Sequence, residues 1–167
     1  MDLLIVRHGI AEDKVEFAKT GKSDDERPLT AKGRKKMKRS ARGLRELIPQ
    51  LGLIATSPLL RAMETAAIVS EAYAAQVGAV AEELRPDAPF SVFIDWLRPL
   101  AEKSPVAVVG HEPHLSGLAT WLMCGSKESR LELGKGGACL LTFDGAIERG
   151  AASLCWLLTS KQLEALG

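Results

Sequence analysis

Two stretches of this chain are apolar with no alternation and too short to be helices. Leu3-Leu4-Ile5-Val6 and Val106-Ala107-Val108-Val109 have the pattern of strands covered on both faces. Residues 51–56 and 77–81 read as two further strands. Between them the period changes. Met37, Ala41, Leu44 and Ile48 fall at steps of four, three and four, one face of an amphipathic helix that Thr30 caps and Pro49 and Gly52 end. Ser57-Pro58 opens another helix, with Ser57 as N-cap and Ala62, Ala66, Val69 and Tyr73 facing inward. Helical spacing returns over 90–102, through Phe90, Phe93, Ile94, Leu97 and Ala101, and over 113–123, through Leu115, Leu118, Ala119, Leu122 and Met123. Residues 138–143 and 152–158 read as strands joined through Asp144-Gly145, with no helix between them for a parallel crossover. Residues 11–27 are polar and read as a long surface loop.

Strands alternating with helices predict an α/β fold: a three-layer sandwich whose central sheet is mainly parallel, flanked by helices, with a C-terminal antiparallel hairpin. The length of 167 residues suits one domain over 1–167. With 46% hydrophobic and 26% charged residues, the composition is that of a globular chain. A net charge of +1 gives no overall pull toward nucleic acid or membrane, so neither is expected as a partner. No apolar run approaches the roughly 18 residues of a membrane span. Asp2 and the short apolar run after it do not resemble a signal peptide, so a cytoplasmic monomer is expected. Cys124, Cys139 and Cys155 form no C-x-x-C pair and have apolar neighbours, and are expected to be buried free thiols. The spacing of His114 and Cys124 supports no metal site, and His114 reads as structural.

Candidate chemistry gathers at three strand ends. Arg7-His8-Gly9 follows the first strand, Ser57-Pro58-Leu59-Leu60-Arg61 the second, and Gly110-His111-Glu112-Pro113 the run ending at Val109. Ligands of open α/β sheets bind at the carboxyl ends of strands. Arginine offers a fork of donors that fits phosphate, and helix N-termini add backbone N–H groups. A neutral imidazole among them is a competent nucleophile toward phosphorus. Gly9 lets the backbone turn and a phosphate come close. Taken singly, Arg7 and Arg61 are ordinary surface charges and His8 or His111 a hydrogen-bonded structural residue. Their joint placement favours a phosphate site.

The strings Val6-Arg7-His8-Gly9, Ser57-Pro58-Leu59-Leu60-Arg61-Ala62-Met63-Glu64-Thr65-Ala66 and Val109-Gly110-His111-Glu112-Pro113 resemble the histidine phosphatase superfamily, the phosphoglycerate-mutase-like or RHG proteins. The resemblance covers roughly residues 1 to 145. The loop Asp25-Glu26-Arg27-Pro28-Leu29-Thr30-Ala31-Lys32-Gly33 is most similar to the short SixA-type phosphohistidine phosphatases. The resemblance implies that His8 takes the phosphoryl group while Arg7, Arg61 and His111 hold its oxygens, with no cofactor and no metal. Arg27 either reaches the same pocket or anchors its loop; Gly9 and Ser57 are candidate substrate-binding residues.

Many relatives carry an acid after the third strand to protonate the leaving oxygen. Here Pro86 stands at that place, with Glu82, Glu83 and Asp87 nearby. A missing acid matters less for phosphohistidine, whose imidazole leaves readily, than for an alcohol ester. Nor does the interval 67–108 leave room for a helical lid. Both points favour phosphohistidine on a protein, such as a histidine-phosphotransfer domain or phosphocarrier. A dense basic face (Lys32, Arg34, Lys35, Lys36, Lys38, Arg39, Arg42 and Arg45) is either a solvated surface or the docking site for that partner. A broad small-molecule phosphomonoesterase and a non-catalytic phosphoprotein-binding module are the alternatives.

Overall fold

Leu3, Leu4, Ile5 and Val6 are fully buried because their strand is covered on both faces. The computed structural model describes residues 1–75 and 77–167. In chain order its elements are β1 (Asp2–Arg7), α1 (Lys14–Ala18), α2 (Ala31–Leu47), β2 (Leu53–Thr56), α3 (Leu60–Tyr73), β3 (Val77–Val80), α4 (Phe90–Leu97), β4 (Val106–Gly110), α5 (His114–Cys124), β5 (Ala138–Phe143), β6 (Ala152–Leu158) and α6 (Ser160–Glu164). They build one sheet in the order β3-β2-β4-β1-β5-β6. Strands β1 to β4 run parallel, β5 runs antiparallel to β1, and β6 returns beside β5. The α/β sandwich with its C-terminal hairpin is therefore the fold.

Strand alternation divides the core. Leu3, Ile5, Val106 and Val108 join the cluster beneath α4 and α5, with Phe93, Leu97, Leu115 and Leu118. Leu4, Val6, Ala107 and Val109 join the cluster beneath α2 and α3, with Met37, Leu44, Ala66 and Val69. Among the described residues no helix is long and apolar enough to cross a membrane.

Several local expectations are corrected. The stretch 11–27 is not all loop. Asp13 caps α1 by accepting the Val15 and Glu16 N–H groups, and Ser23 and Glu26 form a capping box around a 3₁₀ turn at Asp24–Glu26. Ser57 is not a helix cap, since α3 begins after Leu59 and no side chain caps it. The helix expected over 90–102 ends at Leu97 and continues as a 3₁₀ turn over Arg98–Lys103, where Pro99 has no N–H to give an α-helical bond. The small α6 carried no expectation; its single buried residue, Leu163, offers no period to read. All three cysteines are free, but only Cys139 is buried. Cys155 sits on the edge strand β6 and Cys124 at the end of α5, so apolar sequence neighbours misreported their exposure.

One contact fixes α2 against the segment that leaves β1. Thr30 donates its backbone N–H to the Ile10 carbonyl at 2.9 Å, and a Cβ built on Gly33 would lie 2.0 Å from that oxygen. We expect Gly33→Ala to force the helix away and cost about 1–3 kcal/mol of stability, measured by denaturant unfolding. Unchanged stability would show that the contact yields easily.

Candidate active site

The sheet order puts β2, β4 and β1 side by side, and their register sets the level at which each ends. Arg7 lies opposite Gly110 and Thr56 opposite Val109, so His8, Ser57 and His111 leave the sheet at one height. Backbone bonds hold them there: the His8 N–H donates to Gly110 at 3.0 Å and the Ser57 N–H to Val109 at 2.9 Å. The Gly9 N–H donates to Thr65 Oγ1 at 3.1 Å, whose hydroxyl donates to the Arg61 carbonyl at 2.7 Å, tying the β1 end to the first turns of α3.

A cavity of about 550 Å³ opens over these ends, lined by Arg7, His8, Arg27, Arg61 and His111 together with Glu12, Asp13, Lys14, Asp24, Pro86, Glu112 and Lys135. Gly9 and Ser57 stand behind it rather than in its wall. Gly9 has no positive φ, and a Cβ there would make ordinary contacts with Leu29, Gly33 and Met37, so close approach of a phosphate does not require this glycine. Its carbonyl has a different use. His8 Nδ1 lies 2.7 Å from that oxygen. A carbonyl only accepts, so Nδ1 carries the hydrogen and Nε2 keeps its lone pair. Ser57 Oγ meets His111 Nε2 at 2.8 Å and orients that ring, whose centroid lies 5.2 Å from that of His8.

Burial, seconded by the charges of Arg61, Arg7 and Arg27, lowers the His8 imidazole to about 4, against the Gly9 hydrogen bond. Burial likewise lowers His111 to about 3, helped by His8 and Arg61. Both rings are therefore neutral near pH 7. Arg7 Nε, Arg61 Nε and His111 Nδ1 are buried with no hydrogen-bond partner, a surplus of nitrogen sites suited to an oxyanion. Arg7 is anchored by donating from Nη1 to the Leu133 carbonyl at 2.8 Å. Among the described residues no cluster of His, Cys, Asp or Glu could hold a metal ion.

Carboxylates complete the site. Asp24 accepts from Arg27 Nε at 2.7 Å and pairs with Arg61 Nη2 at 3.2 Å, while its carbonyl accepts from Arg61 Nη1 at 2.8 Å. Burial raises the Asp24 carboxyl, but the Arg27 hydrogen bond and the Arg61 charge outweigh it and hold the group below the usual carboxylate range. Arg27 thus both lines the cavity and anchors its loop. Asp24 was missed by sequence reasoning, although its place three residues before Arg27 was the available signal. Glu82, Glu83 and Asp87 line a separate cavity of about 410 Å³, and Glu82 pairs with Arg85 at 2.6 Å. Only Pro86 of that segment reaches the site. Glu112, next to His111, does line it. His114 turns away, with Nε2 3.0 Å from the Ala88 carbonyl.

Residues 3–85 match the model of the histidine phosphatase superfamily (branch 1). An uncharacterised protein of Picosynechococcus sp. is 35% identical over 163 residues, covering 96% of each chain. Among solved structures, the protein histidine phosphatase SixA complexed with tungstate superposes with a TM-score of 0.82 at 26% identity, over 98% of this chain and 99% of that one. The α-ribazole phosphatase of Shigella flexneri has the same fold, with a TM-score of 0.75 at 20% identity over 96% and 97% of the two chains.

Proposed function

The chain belongs to the histidine phosphatase superfamily, and from that premise we propose that it dephosphorylates phosphohistidine on another protein through His8. The observation that carries this reading is the Nδ1–H bond to Gly9, which leaves a neutral Nε2 lone pair in a cavity with three arginines. In the first step Nε2 bonds to phosphorus, the P–N bond to the substrate imidazole breaks, and that nitrogen departs with a proton from solvent. In the second, water bonds to phosphorus, the P–Nε2 bond breaks, and inorganic phosphate leaves with its charge on Arg7 and Arg61. A binding module has no need of an imidazole held as a nucleophile.

A protein substrate is supported by the likeness to SixA and by the flank of α2. Lys35, Lys38, Arg39, Arg42 and Arg45 line a groove of about 500 Å³ together with Ile68, Glu71 and Ala72. From Lys35 to Arg45 the stripe runs about 15 Å along the helix axis. It starts one turn from the contact of α2 with the segment after His8. Lys36 and Arg39 are partly occupied by Glu164, and Lys38 by Glu71, whereas Lys35 and Arg42 have no ion pair among the described residues. An acidic partner helix lying here is the docking mode this reading expects.

The test compares a phosphorylated histidine-phosphotransfer domain with p-nitrophenyl phosphate. Lys35→Glu with Arg42→Glu should lower kcat/KM for the protein about tenfold, with the loss shrinking in high salt, and move the ester less than twofold. Equal losses on both substrates would remove the docking surface. No turnover of the phosphoprotein by the unmodified enzyme would remove the substrate assignment.

A further inference from the structure

The loop before β5 is pinned to the two residues that begin the site. The Arg7 N–H donates to the Gly137 carbonyl at 3.0 Å, and the Gly136 N–H is shared by the carbonyls of Arg7 at 3.2 Å and His8 at 3.1 Å. Arg7 Nη1 donates to the carbonyl of Leu133, a buried residue of the same loop. The Gly137 N–H closes a four-residue turn on the Gly134 carbonyl at 2.8 Å. Its third residue, Gly136, has a φ of 71°, in the left-handed region where turns favour glycine. Residues 134–137 read Gly-Lys-Gly-Gly, so Lys135 carries the one side chain of the turn. That side chain lines the catalytic cavity.

The other cations of the wall have charges of opposite sign close by. Asp24 takes both Arg61 and Arg27, and Lys14 lies within reach of the same carboxylate. Arg7 feels Glu112 and Glu132. Lys135 has no ion pair among the described residues and is exposed, so water is the present partner of its ammonium. We propose that Lys135 is a further substrate-binding residue, whose ammonium takes an oxygen of the phosphoryl group held by Arg7 and Arg61. The proposal rests on the reading of this cavity as the phosphoryl site and applies to any donor.

The two kinds of cation divide the work. Arg61 is fixed by Asp24 and Arg7 by Leu133, so each presents its planar fork in one place. An ammonium on a flexible four-carbon stem is a point charge that follows the phosphoryl group as it moves onto Nε2 and off again. Because the backbone of Lys135 is tied to Arg7 and His8, its stem starts beside the nucleophile however the rest of the loop moves. Such a contact is made with donor, phosphoenzyme and free phosphate alike. It therefore acts on KM and on inhibition by phosphate, and little on kcat.

The test uses inorganic phosphate as the probe, read as a competitive Ki against p-nitrophenyl phosphate. Lys135→Met should weaken phosphate about tenfold and raise KM by a similar factor, with kcat within about twofold. Lys135→Arg, which returns the charge, should stay within about threefold of the unmodified enzyme. Unchanged phosphate affinity in Lys135→Met overturns the proposal. A loss that arginine does not restore also overturns it, since the lysine would then only shape the loop. Nitrogen-resolved NMR of the unmodified enzyme checks the contact without any variant: phosphate should shift the Lys135 ammonium and the His8 ring together. An ammonium signal that ignores phosphate while His8 responds overturns the proposal alone. If His8 does not respond, the cavity reading and the proposal fall together. Absent phosphoprotein turnover, with phosphate bound at both residues, would remove only the phosphohistidine assignment and leave Lys135 in its role.

Discussion

His8→Ala abolishes turnover of every phosphoryl donor, by at least about 10⁴-fold, while the protein stays folded. The size follows from what the imidazole does. Without Nε2 the phosphoryl group has no covalent acceptor, and water must attack the donor directly without the two-step route through the imidazole. Rapid quench of the unmodified enzyme with a labelled donor should trap an acid-labile, alkali-stable phosphoenzyme with the label on residue 8. A label on aspartate, cysteine or serine would end this mechanism. The pH behaviour has a definite sign. The reactive form is the neutral ring, and burial with three nearby guanidiniums lowers its pKa to about 4, so the ring stays competent well below pH 6.5. Nitrogen-resolved NMR of the phosphate-free enzyme should show His8 as the Nδ1–H tautomer until the pH falls toward 4. A midpoint near 6.5 would mean the imidazole is solvated and unprepared.

Continuous apolar runs made β1 and β4 legible, because a strand buried on both faces has nowhere to put a polar residue. The amphipathic period of α2 was equally clear, and the hairpin followed from a connection too short for a crossover. Strand order was not in the pattern. That β2, β4 and β1 are neighbours depends on how the helices pack over the two faces, and this adjacency is what makes one cavity of three distant strings. Roles were harder to read than positions. Ser57 looked like a helix cap, yet it orients His111, since its hydroxyl reaches a ring 54 residues away in sequence. Gly9 looked like the place where the backbone turns and a phosphate comes close, yet its carbonyl matters more than its missing side chain. Asp24 and Glu112 carry no pattern of their own; an exposed acid and a buried one look alike until the fold supplies their neighbours.

Arg61→Ala should lower kcat/KM by about 10²- to 10³-fold, the scale expected for removing a charged donor from a transferring oxyanion. Asp24 gives this substitution a second cost. In the folded enzyme its carboxylate takes Arg61 Nη2 at 3.2 Å and Arg27 Nε at 2.7 Å, so it shares the cation that the phosphate needs. Deleting the guanidinium leaves a carboxylate, partly screened by water but still on the cavity wall, facing a phosphoryl group of the same sign. The two positions are therefore coupled. Asp24→Asn in the Arg61→Ala background should restore about tenfold, within the range measured for residues in direct contact. Arg61→Lys should fall between the extremes, since it keeps the charge that balances Asp24 and loses the planar fork. If Asp24→Asn has the same effect whether or not Arg61 is present, the carboxylate does not compete with phosphate. Its bond to Arg61 would then serve only to pin the Asp24–Glu26 turn against α3.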